Sequence, residues 1–130
     1  MITQDQLPMV LVPSMNDTHL EDMLLINKLD KVSKEGNVKV IKEVLQELLD
    51  HTTIHFTDEE KLMKEARFPA FTEHKSEHDR HLHELKALMK YFDTNRDPGA
   101  IIAYVKGGLT PWMTHHVKTM DTEMAVFLKV

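Results

Sequence analysis

Apolar residues recur at helix-type spacing along most of this chain, whereas the strict apolar/polar alternation of a half-buried strand is scarce. The glycines and prolines fall mostly between the long periodic segments. This pattern predicts an all-α fold. The predicted helices span about residues 17–34, 38–66 and 70–92, followed by a fourth and less regular helix after residue 97. Because the connections between them are short, we expect an antiparallel up-down-up-down four-helix bundle.

The N-terminal segment is predicted to differ from the periodic remainder of the chain. Residues 1–16 contain Pro8 and Pro13 and indicate an extended N-terminal arm. The arm is apolar in part, so we expect it to pack on the bundle. Asn16 or Asp17 has a side chain suited to capping the first helix, which we therefore expect to begin there.

The fourth helix is predicted to be broken or kinked. Its start is indicated by an Asp-Pro pair at residues 97–98, which supplies a capping side chain and a first-turn proline. Further on, Gly107-Gly108 precedes Pro111, which has no N–H to donate to the carbonyl of Gly107. Such positions are common places for helices to kink, so we expect an irregularity there.

Length, composition and charge narrow the class of protein. The 130 residues suffice for one domain, made of the arm (1–16) and the bundle (17–130). The absence of cysteine excludes thiolate metal sites and disulfide scaffolds. A formal net charge of −5 argues against a nucleic-acid partner, and no apolar run approaches the ~20 residues of a membrane span. The start lacks the basic region of a signal peptide, so we expect a cytoplasmic monomer without a membrane partner.

Ionisable residues interrupt the apolar stripe of every predicted helix. His55 and Glu59 are four residues apart and continue the inward face of the second helix. His74 and His78 have the same spacing in the third helix, an arrangement that can chelate a metal. The full set of inward ionisable residues is His19, His55, Glu59, His74, His78, His116 and Asp121.

A metal centre explains why these groups are turned into one small core. Burying an unpaired carboxylate costs several kcal/mol. A metal ion accepts neutral imidazole nitrogen and carboxylate oxygen, and it supplies the compensating positive charge. Among the other histidines, His51 and His81 are close enough to the ligand faces to be outer partners or alternative ligands. His83 and His115 are rotated away from those faces.

Four motifs in the same order resemble those of the hemerythrin family, specifically a stand-alone bacteriohemerythrin. They are NDTHL with INKL at residues 16–29, HFTDEEKLM at 55–63, FTEHKSEH at 71–78, and WMTHHV at 112–117 with Asp121. Thr18 stands where the family usually has glutamine, and Met113 where it has leucine. These two departures leave every predicted ligand in place.

The resemblance implies a non-haem di-iron centre with a bridging oxo or hydroxo group. One iron would be bound by His74, His78 and His116, and the other by His19 and His55. Glu59 and Asp121 would bridge the two ions. The ligand count then leaves one position open on the His19/His55 iron. The resemblance further implies an apolar ligand pocket that includes Phe56, Trp112 and Met113.

The expected function is reversible dioxygen binding for transport, storage or delivery, without turnover as an enzyme. An oxygen-consuming enzyme or an electron donor is the expected protein partner. Three alternatives stay open at this point. The first is an oxygen or redox sensor that acts through a partner, and the second is a di-iron enzyme that handles peroxide, nitric oxide or iron. The third is a zinc or mononuclear metal protein, which metal analysis would distinguish.

Overall fold

Four helices account for most of the 13–129 segment that the structure, a computed structural model, describes. The first three are α1 (Pro13–Glu35), α2 (Val38–Glu65) and α3 (Phe71–Asn95). The fourth, α4, is a composite of five consecutive segments: Pro98–Tyr104, Val105–Leu109, Thr110–His116, Val117–Asp121 and Thr122–Lys129. The predicted all-α four-helix bundle is confirmed. Among these residues no helix combines the length and apolar character that crossing a membrane requires.

The four helices pack as a closed ring, in which α1 contacts α2 and α4, and α3 contacts α2 and α4. In α2 the buried residues change along the helix from apolar (Ile41 to Leu48) to polar (His55 and Glu59). In the antiparallel α3 the order is reversed, because the buried histidines precede Leu85 and Phe92. The polar halves of neighbouring helices therefore lie side by side. The apolar halves form the larger part of the core, where each fully buried large side chain contributes about 1.5–3 kcal/mol.

Local capping explains where the helices begin and end. Gly36 has a φ of 81°, a left-handed conformation that favours glycine, and its N–H donates to the carbonyl of Val32 at 3.1 Å. The Asn37 side chain then caps α2 by accepting from the Val40 N–H at 3.2 Å. As predicted, Asp97 caps α4, where its carboxylate accepts from the N–H of Gly99 at 3.0 Å.

The predicted start of the first helix is wrong. α1 begins at Pro13, which is tolerated in the first turn because its missing N–H has no intrahelical partner there. Met15, four residues before His19, is only 4% exposed and extends the buried stripe of α1 by one turn. Asn16 and Asp17 consequently lie inside the helix instead of capping it. The remainder of the predicted arm, residues 1–12, lies outside the described residues.

The fourth helix is irregular where the sequence predicts it, and the irregularity is a π-helical segment at Val105–Leu109. The N–H of Thr110 donates to the carbonyl of Val105, five residues back. The wider turn carries the chain past Pro111 without ending the helix. A second π-helical segment, Val117–Asp121, follows one short α-helical segment later.

Candidate metal centre

All four helices contribute buried ionisable residues to one cluster in the polar half of the bundle. The structure brings together every residue of the predicted set, and none of them is more than 7% exposed. The contributions are His19 from α1, His55 and Glu59 from α2, His74 and His78 from α3, and His116 and Asp121 from α4. No loop residue belongs to the cluster, so its geometry is set by helix packing.

The Glu59 carboxylate lies between two sets of histidines. Its Oε1 is 3.5 Å from Nε2 of His74 and 3.3 Å from Nε2 of His78. Its Oε2 contacts Nε2 of His55 and is 3.9 Å from Nε2 of His19. The two oxygens of one carboxylate thus face different helices, α3 on one side and α1 with α2 on the other.

The Asp121 carboxylate is divided in the same way. Its Oδ1 lies 3.0 Å from Nε2 of His74 and 3.2 Å from Nε2 of His116. Its Oδ2 lies 3.0 Å from Nε2 of His19. Potential ligand atoms therefore form two adjacent groups with separations of no more than 4.8 Å inside each group, and Glu59 belongs to both.

A π-helical turn places Asp121 in this cluster. In a regular α-helix a residue five positions after His116 would be rotated by about 140° from it, since each residue turns the helix by about 100°. The π-helical segment Val117–Asp121 widens the turn and brings both side chains to the same face. The hydroxyl of Thr122 donates to the carbonyl of Val117 at 2.7 Å, which stabilises the widened turn.

The donor atoms at the centre fit a metal ion. Nε2 of His19, His74, His78 and His116 are buried and lie 3.0–3.3 Å from a central carboxylate oxygen, but among the described residues they form no hydrogen bond of regular geometry. Oε1 of Glu59 and Oδ1 of Asp121 likewise form none among these residues. Buried polar atoms are normally satisfied, so an inward-facing group of nitrogen and carboxylate donors without regular hydrogen bonds indicates a bound cation.

Even without a metal ion, the carboxylates of Glu59 and Asp121 remain ionised. Burial raises the pKa of Glu59 and of Asp121, but the neighbouring histidines outweigh burial and hold both pKa values below their ordinary range. Burial also opposes protonation of His74, yet Asp121 and Glu59 raise its pKa to about 9. The pKa of His55 is raised as well, since Glu59 and Asp22 outweigh its burial. The two carboxylates therefore attract positive charge strongly.

Outer carboxylates orient two of the five histidines. Nδ1 of His55 lies 2.7 Å from Asp22, whose other oxygen is 2.8 Å from Nε2 of His51. Nδ1 of His78 lies 3.0 Å from Oε2 of Glu60. When a carboxylate accepts the Nδ1 proton, the Nε2 lone pair is left to face the centre. Asp22 and Glu60 thus select the tautomer that a metal requires.

A cavity of about 20 Å³ adjoins the centre, where its wall includes His19 and His55 as well as His116 and Asp121. That volume admits one water-sized molecule. All three predicted pocket residues, Phe56, Trp112 and Met113, line it. The Phe56 ring stacks on the His78 ring with their centroids 3.8 Å apart. The aromatic lining therefore also fixes the orientation of an inward-facing imidazole.

Residues 12–128 match the hemerythrin HHE cation binding domain family, which covers nearly the whole chain. The chain belongs to the hemerythrin family. Its order of helices and its inward His, Glu and Asp side chains are accordingly those of a hemerythrin domain with a candidate cation site.

Relatives and a solved structure agree with this assignment. The chain is 31% identical to a bacteriohemerythrin of Aquifex aeolicus over 111 residues, 85% of either chain. It is 28% identical over 106 residues to a bacteriohemerythrin of Pseudomonas aeruginosa, covering 82% of this chain and 67% of that one. A crystal structure of a wild-type hemerythrin superimposes with a TM-score of 0.84 at 23% identity, over 100% of this chain and 98% of the other, which shows the shared fold.

His81 was predicted to lie close to the ligand faces, and the structure places it buried beside the cluster, at the wall of the cavity. The apolar periodicity of α3 predicts an inward stripe of Phe71, His74, His78, Leu82, Leu85 and Met89. The structure instead buries His81 (2% exposed) and leaves Leu82 half-buried. The buried series 74, 78, 81, 85 is also helix-spaced and could have indicated His81. His83 and His115 are exposed, as expected for residues rotated away from the cluster.

Proposed function

We propose that this hemerythrin domain binds dioxygen reversibly at a non-haem di-iron centre and serves in oxygen transport, storage or delivery. In this proposal one iron is held by His74, His78 and His116, and the other by His19 and His55. Glu59 and Asp121 are shared between the two ions. A pair of ferrous ions supplies the electrons that reversible dioxygen binding requires.

The observation that carries the proposal is the division of each central carboxylate between two sets of imidazoles. At a site for a single ion, the donors around Glu59 would form one common set. Whichever Glu59 oxygen binds the ion would face that set. Here Oε1 faces His74 and His78, and Oε2 faces His55 and His19. Asp121 repeats this division, which favours a pair of ions over a mononuclear site.

The cavity favours binding over turnover. Outside the seven predicted ligands, the ionisable residues that line it are Asp22 and His81. Asp22 is engaged by His51 and His55, and the effects of these two histidines outweigh its burial and lower its pKa. Burial lowers the pKa of His81 to about 3, so this imidazole is neutral near pH 7. Neither group is a ready proton donor, while apolar neighbours such as Phe56 and Met113 exclude water.

Oxygenation of the iron-loaded protein tests the proposal. Anaerobically reconstituted ferrous protein, mixed with dioxygen in a stopped-flow spectrometer, is expected to develop a visible charge-transfer band. Removal of dioxygen under argon should abolish the band and restore the ferrous spectrum over repeated cycles. Direct oxidation to the ferric state without an oxygenated species would contradict a carrier. Sustained consumption of peroxide or nitric oxide would favour the enzyme alternative.

The outer carboxylates provide a matched pair of variants for assigning the two irons. Asp22→Asn is expected to weaken the iron bound by His19 and His55 by about 10- to 100-fold. The neutral amide has a single acceptor oxygen, whereas the two carboxylate oxygens face both His51 and His55. Glu60→Gln should weaken the other iron by a similar factor through His78. Competition with a graded series of chelators measures both ions as separate steps. Equal loss of both ions in each variant would contradict the assignment.

A further inference from the structure

A buried imidazole beside the centre has no role in the proposed function. His81 lines the cavity that adjoins the centre, and its Nδ1 is buried without a hydrogen-bond partner among the described residues. The imidazole itself is 2% exposed. Because buried polar atoms in native proteins are nearly always satisfied, an unpartnered nitrogen on a residue that lines a cavity points to a bound group that completes its hydrogen bonding.

The orientation of this imidazole is fixed by a chain of contacts that reaches the surface. The His81 ring stacks on Trp112, with centroids 3.7 Å apart and an interplanar angle of 2°. The Trp112 indole donates from Nε1 to Oε1 of Glu77 at 2.8 Å. Arg80 donates to the same oxygen at 2.7 Å. The ring is therefore held in place before any ligand arrives, and little conformational freedom is lost when it forms a hydrogen bond.

His81 can donate a hydrogen bond without bringing charge into the cavity. Burial, with smaller contributions from His116 and other neighbours, lowers its pKa to about 3. A neutral imidazole carries one N–H donor and one lone pair. Most of the surrounding wall is apolar, as Ile26, Leu48 and Leu109 illustrate. In such low-dielectric surroundings a single donor discriminates strongly between ligands.

We propose that His81 donates a hydrogen bond from Nδ1 to a small ligand bound at the His19/His55 side of the centre. The residue thereby favours ligands that carry a terminal hydrogen-bond acceptor, namely dioxygen and small linear anions. The cavity of about 20 Å³ restricts such ligands to a few atoms. This inference rests on the proposed function, because it requires a metal ion at that side to hold the other end of the ligand.

Azide titration of the oxidised, iron-loaded protein tests the donor. His81→Phe retains a flat ring that can stack on Trp112 but removes the N–H. We expect azide binding to weaken by about 10- to 100-fold, which is the usual range for losing a hydrogen bond to a charged group. His81→Gln restores a donor without the ring, and azide binding is expected within about threefold of the wild-type value. The exposed His83→Phe is the matched control and should bind azide as the wild type does.

Iron content and thermal denaturation separate this role from simple packing. Iron-loaded, azide-free His81→Phe should retain its iron and unfold at or above the wild-type temperature, because the substitution removes an unpartnered buried nitrogen. Azide affinity unchanged in His81→Phe would overturn the inference, as would an equal loss in His81→Phe and His81→Gln. Loss of iron in His81→Phe would also overturn it, since the residue would then act by packing. A wild-type protein without a pair of irons would instead overturn the proposed function, and the inference with it.

Discussion

Glu59→Gln is expected to remove both metal ions from the protein. Each oxygen of Glu59 faces a different set of histidines, so a neutral amide, which offers one acceptor, cannot serve both sides. Loss of an outer partner alone weakens metal binding by about 10- to 100-fold, and loss of a shared ligand should exceed that for both ions. Iron analysis after gel filtration measures the effect.

Glu65→Gln is the matched control for this variant. It makes the same change on the same helix, but Glu65 is exposed and is rotated by about 120° from Glu59 around the helix axis. The control should retain its full iron content and its visible spectrum. Retention of one iron by Glu59→Gln would show that the carboxylate is not shared, and the paired arrangement proposed here would be wrong.

The second large effect is the pH dependence of the free energy of unfolding. The sign of this dependence is expected to reverse on metal binding. Without iron, the protonated His74 stabilises the fold, because its folded pKa of about 9 exceeds the ordinary value of 6.5. That contribution, roughly 3 kcal/mol, is complete below pH 6.5 and is lost as pH rises through about 9. The lowered pKa values of Glu59 and Asp121 act in the opposite sense, since their contribution is lost as pH falls below about 4.5.

The lowered pKa of His81, about 3 in the fold, likewise removes stability as pH falls below 6.5. The free energy of unfolding of the iron-free protein should therefore be greatest near pH 6.5. The iron-loaded protein should gain stability from pH 5 toward neutrality, because iron binds deprotonated imidazoles. Urea denaturation of both forms across this range measures the two slopes. His74→Gln should flatten the alkaline decline of the iron-free form, whereas the exposed His83→Gln should leave it unchanged. Parallel profiles with and without iron would contradict this account.

Iron should also raise the overall stability substantially. Two ions, each held at about a thousand times its Kd, would together add about 8 kcal/mol to the free energy of unfolding. That increment is comparable with the entire stability of many small domains. The buried charges of the centre thus link folding to metal supply.

Hydrophobic periodicity alone predicted which residues are buried in helices that have one clear apolar face. In α2 the helix-spaced positions predict a buried stripe, and every one of them is buried in the structure: Ile41, Val44, Leu45, Leu48, Thr52, His55, Phe56, Glu59 and Met63. The stripe is long and uninterrupted, so its phase is well defined. The start of α1 was missed because a proline is compatible with the first helical turn, and the extended-arm prediction did not weigh Met15 as part of the stripe.

Contacts between helices were beyond the reach of the sequence pattern. Asp22 and His55 lie on different helices, and so do Glu60 and His78, so no spacing within one helix connects them. The alignment of Asp121 with His116 depends on a π-helical turn that a regular helix would not provide. The residues of the buried cluster were predictable from the sequence, whereas their outer partners required the packed structure.

The account depends most directly on the number of ions that one chain binds. Iron and zinc should be measured in the protein after anaerobic reconstitution with ferrous iron and removal of loosely bound metal. The proposal predicts about two irons per chain, because the two donor groups share Glu59 and bind as a pair. One iron per chain, or zinc retained in preference to iron, would contradict it.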